Sequence, residues 1–174
     1  MNTIKFDNKI TRVVAHRGLS GLERENTASA FVAAGNRNYF GIETDIYRTS
    51  DGHFVVNHDG RANRVGGVNV TMEATPWELL REIVLYDTDG TKDRYDLRLP
   101  SLENYITICK KYEKHCILEL KSAFTDEETA AFIELILPFV IIMATFSIAM
   151  RIMSKRGGMG GMGGIGGVGK ANAK

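Results

Sequence analysis

The sequence predicts an α/β fold at its N-terminal side, followed by a hydrophobic helix and a glycine-rich tail. Short β-rich runs alternate with helix-patterned stretches, the order of a βα arrangement with parallel neighbours. Polar residues gather where those runs end, the edge on which open α/β sheets and βα barrels keep their chemistry. Residues 135–150 then carry no charge and precede a cluster of glycines. These features divide the chain into 1–130, a hydrophobic segment 131–153 and a flexible basic tail 154–174.

Ile10 to Ala15 is a β-branched run that stops at His16-Arg17-Gly18, so both polar side chains fall at a strand's C-terminal end. Asn26 is a candidate cap for a helix over Ala28 to Gly35, with Gly35 as its stop. Gly41 to Thr49 alternates: Ile42, Thr44 and Ile46 face one way, Glu43, Asp45 and Tyr47 the other. Ser50-Asp51-Gly52 is a turn that leads into a second strand, His53 to Asn57, ending at His58-Asp59. Residues 60–71 read as a loop or excursion. Helices are expected over Trp77 to Leu85, behind Pro76, and over Ser101 to Tyr112, with charged loop between them. Cys116 to Leu120 is a fourth strand, carrying Glu119 and Lys121 at its C-terminal side. Asp126, Glu127 and Glu128 open a further helix.

Charge is unevenly placed. Before Leu135 there are 21 acidic and 17 basic residues; after it, five basic and none acidic. An acidic body lacks the basic face that nonspecific nucleic-acid binding requires, so no nucleic-acid partner is expected. Cys109 and Cys116 read as reduced core thiols, because a lone C-x6-C pair without clustered His is not a zinc pattern. No apolar stretch near the N-terminus suggests a cleavable signal peptide.

Glu43 and Asp45 on one strand face could bite a hard cation, which would relieve their repulsion. Alone, E-x-D far better fits a half-exposed strand whose carboxylates simply face water. Joined by His16, His58, Arg17, Glu119 and Lys121, it becomes a kit for phosphodiester hydrolysis: carboxylates for a cation, imidazoles for proton transfer and cationic side chains for phosphoryl oxygens. His53 and His115 read as surface residues, Asp59 as a turn or supporting group, and Trp77 as core.

The runs Val13–Gly18 with Glu25–Thr27, Gly41–Asp45, Thr49–Asp59, Leu99–Glu103 and Leu118–Lys121 resemble the glycerophosphodiester phosphodiesterase family, in order, over about residues 10–128. The resemblance implies a TIM barrel, of which about the first half is present. It implies Glu43, Asp45 and Glu119 as ligands of calcium or magnesium, His16 and His58 as the acid/base pair, and Arg17 and Lys121 as phosphate-side cations. It also implies hydrolysis of glycerophosphodiesters to glycerol 3-phosphate and an alcohol. A related phosphodiester lipase specificity, or binding of a phosphate-bearing ligand without turnover, stays open.

A closed barrel of this kind needs eight strands, so four leave exposed edges, and a second copy completing the barrel is an expected partner. Beyond about residue 128 the family pattern is expected to stop. Leu135 to Met150, followed by Arg151, Lys155 and Arg156, reads as a transmembrane helix and implies membrane association. Nine of the 18 glycines fall within Gly157–Gly169, the composition of a tether. From about residue 137 to Lys174 the chain resembles the second membrane helix and linker of FtsH-type membrane-anchored AAA proteases. No functional residue of that family falls within the segment.

Overall fold

A computed structural model describes residues 11–138. Contacts divide the chain into two units, 1–123 and 124–174. The first holds a four-stranded sheet: β1 (Val14–Ala15), β2 (Gly41–Arg48), β3 (Phe54–Val56) and β4 (His115–Leu120). Its helices are α1 (Ala28–Gly35), α2 (Asn63–Gly66), α3 (Trp77–Leu80) and α4 (Leu102–Lys111).

β2 is the central strand. β4 runs parallel to it from Gly41↔His115 to Ile46↔Leu120. Because β1 pairs in parallel with Gly41 and Ile42, and β3 pairs antiparallel with Ile46 to Arg48, those two share the opposite edge. The period-2 pattern of β2 is realised in packing: Ile42 and Ile46 are wholly buried beside Phe31 of α1 and Tyr105 of α4, whose rings meet edge to face at 5.0 Å. The Tyr105 hydroxyl donates to the Ile42 carbonyl at 2.5 Å and accepts from the Ile117 amide at 3.0 Å, joining α4 to both β2 and β4. Tyr105→Phe would leave two backbone groups without that partner and is expected to cost about 1–3 kcal/mol in urea unfolding.

The turn after β2 is the expected one. Gly52 takes φ 88°, and its amide donates to the Thr49 carbonyl at 3.1 Å. Residues 60–100 form more than a loop. Ala62, Val65, Met72, Leu80, Leu85, Leu97 and Leu99 pack with Val55 of β3 into a second buried cluster, with Trp77 partly buried against it. α3 ends at Leu80, short of the expected Leu85, because the chain turns to pair Val84 with Arg98. Helix α4 is capped by Ser101, whose hydroxyl accepts from the Asn104 amide. Helix α1 is capped by Thr27, one residue after the expected Asn26, and runs through Gly35 to a cap at Asn36. Cys109 is buried in the core, but Cys116 is exposed, since the packing on β4 leaves it open.

The second unit is described as helical backbone over 126–138. The Thr125 hydroxyl accepts from the Glu128 amide and the Glu128 carboxylate from the Thr125 amide, a reciprocal cap. No helix among the described residues is long and apolar enough to cross a membrane. The described part of this helix carries Asp126, Glu127, Glu128 and Glu134. The expectation of a transmembrane helix over 131–153, with the membrane association, membrane localisation and FtsH-type likeness built on it, is corrected accordingly. Residues 139–153 and the tail 154–174 lie outside the described residues. The fold class is therefore α/β with a partial, unclosed sheet among the described residues.

Candidate active site

The site forms where β1, β2 and β4 end together. Parallel register sets Asp45 beside Glu119, so Glu43 and Asp45 of β2 meet the carboxylate of the neighbouring strand. One ligand oxygen from each of Glu43, Asp45 and Glu119 lies within 4.8 Å of the others. Asp45 is fully buried, Glu43 half-buried and Glu119 exposed. Burial pushes the Glu43 carboxyl up, as does the Asp45 charge, although the Arg17 amide donates to Glu43 Oε2 at 2.9 Å and pulls the other way. Burial also works against ionised Asp45. The Asn26 hydrogen bond and the charge of the nearby Lys121 ammonium more than offset it and hold that carboxyl below its ordinary value.

Asp45 Oδ1 is buried and accepts no well-formed hydrogen bond among the described residues; its ion-pair partner Lys121 Nζ stands 3.2 Å away. An under-satisfied carboxylate oxygen beside two further carboxylates fits a hard divalent cation, which prefers an all-oxygen donor set. The three carboxylates thus have the chemistry and the spacing to hold a divalent cation.

Two cations flank them. Arg17 Nε lies 3.5 Å from Asp45 Oδ2, and its Nη1 donates to Glu25 at 3.2 Å. Lys121 Nζ donates to Glu119 at 2.6 Å. Arg17 is held at φ 54°, and the Asn26 amide donates to its carbonyl at 3.0 Å. The next residue, Gly18 at φ 78°, passes so close to Ala30 that a Cβ would meet it at 2.8 Å, which explains the glycine. His16 is 67% exposed, with Nε2 3.9 Å from Glu43. His58 follows β3, with Nδ1 2.8 Å from Asp59 Oδ1. All seven residues singled out in the sequence therefore lie at this end of the sheet or on the turn beside it.

Three supporting residues escaped sequence reasoning. Asn26, buried and also at φ 54°, donates to Asp45 at 3.0 Å and accepts from the Thr44 hydroxyl at 2.8 Å. Glu25 takes Arg17 on one side and Arg64 on the other. The Glu25–Thr27 run was the available signal for the first two, since its Asn tolerates left-handed backbone. Arg64 had none.

Glu25, Asp45 and Asp59 all titrate below their ordinary values because, despite the penalty of burial, hydrogen bonds from Arg64, Asn26 and Arg64 respectively favour the charged forms. Their stabilisation is present above the unfolded values of 4.5, 3.8 and 3.8 and is lost as pH falls through the lower folded ones. Glu43, shifted upward, works in the opposite sense. Thermal melts against pH are expected to show Tm falling below pH 3.8, and a Tm that rose there would contradict the network.

Residues 16–139 match the model of the Glycerophosphoryl diester phosphodiesterase family. That match continues past the point at which the sequence pattern was expected to stop. Uncharacterized protein YqiK of Bacillus subtilis is 32% identical over 115 residues, 66% of this chain and 46% of the relative. An Oleispira antarctica phosphodiesterase, solved with the product sn-glycerol-3-phosphate, aligns with a TM-score of 0.64 and 29% identity, over 72% of this chain and 51% of that one. A Thermotoga maritima glycerophosphodiester phosphodiesterase aligns at 0.56 and 27%, over 72% and 50%. The chain spans about half the length of the relatives it matches.

Proposed function

Because this chain belongs to the glycerophosphoryl diester phosphodiesterase family, we propose that it hydrolyses glycerophosphodiesters to glycerol 3-phosphate and an alcohol. The observation that carries the reading is the trio Glu43, Asp45 and Glu119 with ligand atoms within 4.8 Å, flanked by Arg17 and Lys121. The Oleispira relative, bound to sn-glycerol-3-phosphate, supports the same product class.

In this reading the three carboxylates hold calcium or magnesium, which supplies charge neutralisation at a phosphoryl oxygen when bound. Arg17 and Lys121 bind and orient the remaining anionic oxygens. One of His16 and His58 takes a proton from the attacking water as its oxygen bonds to phosphorus. The other returns a proton to the alkoxide as the second P–O bond breaks.

Glycerol 3-phosphate release from glycerophosphocholine tests the proposal, measured with calcium, with magnesium and with chelator. Metal-dependent release supports it. Bound, uncleaved diester recovered from folded protein would favour the second reading, binding without turnover, which the half-length alignment motivates. Cation binding has its own readout. At 100 times its Kd, a cation is expected to stabilise the fold by about 2.7 kcal/mol, seen as a rise in Tm. Glu43→Gln is expected to abolish both the rise and the turnover.

A further inference from the structure

Arg64 lies on α2, inside the 60–100 excursion, and contributes to none of the steps above. Its Nε donates to Asp59 Oδ2 at 2.6 Å and its Nη2 to Glu25 Oε1 at 2.7 Å. Each carboxylate continues to a different part of the site. The other oxygen of Asp59 meets His58 Nδ1 at 2.8 Å, while the same Glu25 oxygen accepts from Arg17 Nη1 at 3.2 Å. The chain of contacts His58–Asp59–Arg64–Glu25–Arg17 thus ties an imidazole after β3 to a guanidinium after β1, through one fork-shaped cation.

The consequence falls on His58. A carboxylate bonded by a guanidinium stays ionised and can only accept, so the imidazole nitrogen facing it must carry the proton. That leaves Nε2 as the nitrogen available for proton exchange in the site. Without Arg64, Asp59 loses the bond that orients it, and the imidazole is free to turn or to change tautomer. Burial cannot substitute, because Asp59 and His58 are each about a third exposed, with side-chain exposures of 29% and 33%.

We infer that Arg64 is a positioning residue, which anchors Asp59 so that His58 is held with its proton on Nδ1, and which uses its second arm to hold Glu25 against Arg17. The inference rests on the hydrolase reading for its kinetic consequence, but not for its structural one. Both halves are tested on the full chain with Arg64→Met and Arg64→Lys. The Arg64 side chain is 43% exposed, so neither variant opens a core cavity, and circular dichroism checks the fold.

Imidazole 15N chemical shifts, recorded at pH 8 and assigned with His58→Gln, report the tautomer directly. Wild-type His58 is expected to be protonated at Nδ1, and Arg64→Met to show a mixture of tautomers. In glycerophosphocholine hydrolysis, Arg64→Met is expected to lower kcat by about 10- to 100-fold, with a smaller change in KM. Arg64→Lys restores the charge without the fork and is expected to resemble Arg64→Met in both readouts. An unchanged His58 tautomer in Arg64→Met, or full rescue by Arg64→Lys, overturns the inference. If the wild-type chain releases no glycerol 3-phosphate, the hydrolase reading fails, and the tautomer measurement still decides the role of Arg64. Should Arg64→Met not fold, the tautomer of Arg64→Lys decides it.

Discussion

His16→Ala and His58→Ala are each expected to lower kcat for glycerophosphodiester hydrolysis by about 10²- to 10⁴-fold, the range for removing a positioned acid or base. The two losses should arise without unfolding. His16 is 67% exposed and reaches Glu43 only at 3.9 Å, so its truncation removes little packing and no short hydrogen bond. His58 gives up one contact, to Asp59 at 2.8 Å, at a site open to water. Steady-state kinetics beside thermal melts separates the effects: a large fall in kcat with Tm nearly constant is the expected pair of results. A His16→Ala chain that turned over at the wild-type rate would remove His16 from the chemistry and leave its exposure as its whole explanation.

Asp45→Ala is expected to be costly in the opposite way, through stability as well as activity. Asp45 is fully buried and gathers three groups: Asn26 Nδ2 at 3.0 Å, Arg17 Nε at 3.5 Å and Lys121 Nζ at 3.2 Å. Removing the carboxylate strands a buried amide donor and leaves two cations facing each other. Glu25 and Glu119 retain one each, which limits the loss. A cost of about 3 kcal/mol follows for breaking one side of a buried ionic network, together with loss of the cation-dependent rise in Tm. Urea unfolding with and without calcium measures both. A variant as stable as wild type would mean that water satisfies the site as well as Asp45 does.

The central strand could be read from the sequence because alternation is a local property. Ile42, Thr44 and Ile46 against Glu43 and Asp45 is a pattern that only one register buries correctly, and β2 adopts it. The strand-end chemistry could be read for the same reason: His16, Arg17, Glu119 and Lys121 each follow an apolar run. What could not be read depends on distance along the chain. Arg64 meets Glu25 across 39 residues and Asp59 across five, and nothing in an exposed-looking NRVGG stretch announces either partner. Residues 60–71 read as a loop or excursion because the stretch is polar and glycine-containing, with few apolar residues. They become a core only when Leu85, Leu97 and Leu99 return to Val55. The membrane reading failed on a different ground. A charge-free run records hydropathy alone, whereas the described helix that leads into it opens on three acidic residues and belongs to the stretch matched by the family.

The β2–β4 pairing acts as a ruler that permits no change in length. Asp45 stands opposite Glu119, and Ile46 opposite Leu120. One residue inserted or deleted within β4 ahead of Glu119 would bring a leucine to the position of that carboxylate and turn Glu119 and Lys121 together onto the wrong face. A residue added at the exposed tip Thr88 to Gly90 shifts no strand, and closing a slightly longer loop costs little. Length variation in this protein should therefore be confined to the excursion, with the spacings His16-Arg17, Glu43-x-Asp45 and Glu119-x-Lys121 held to the residue.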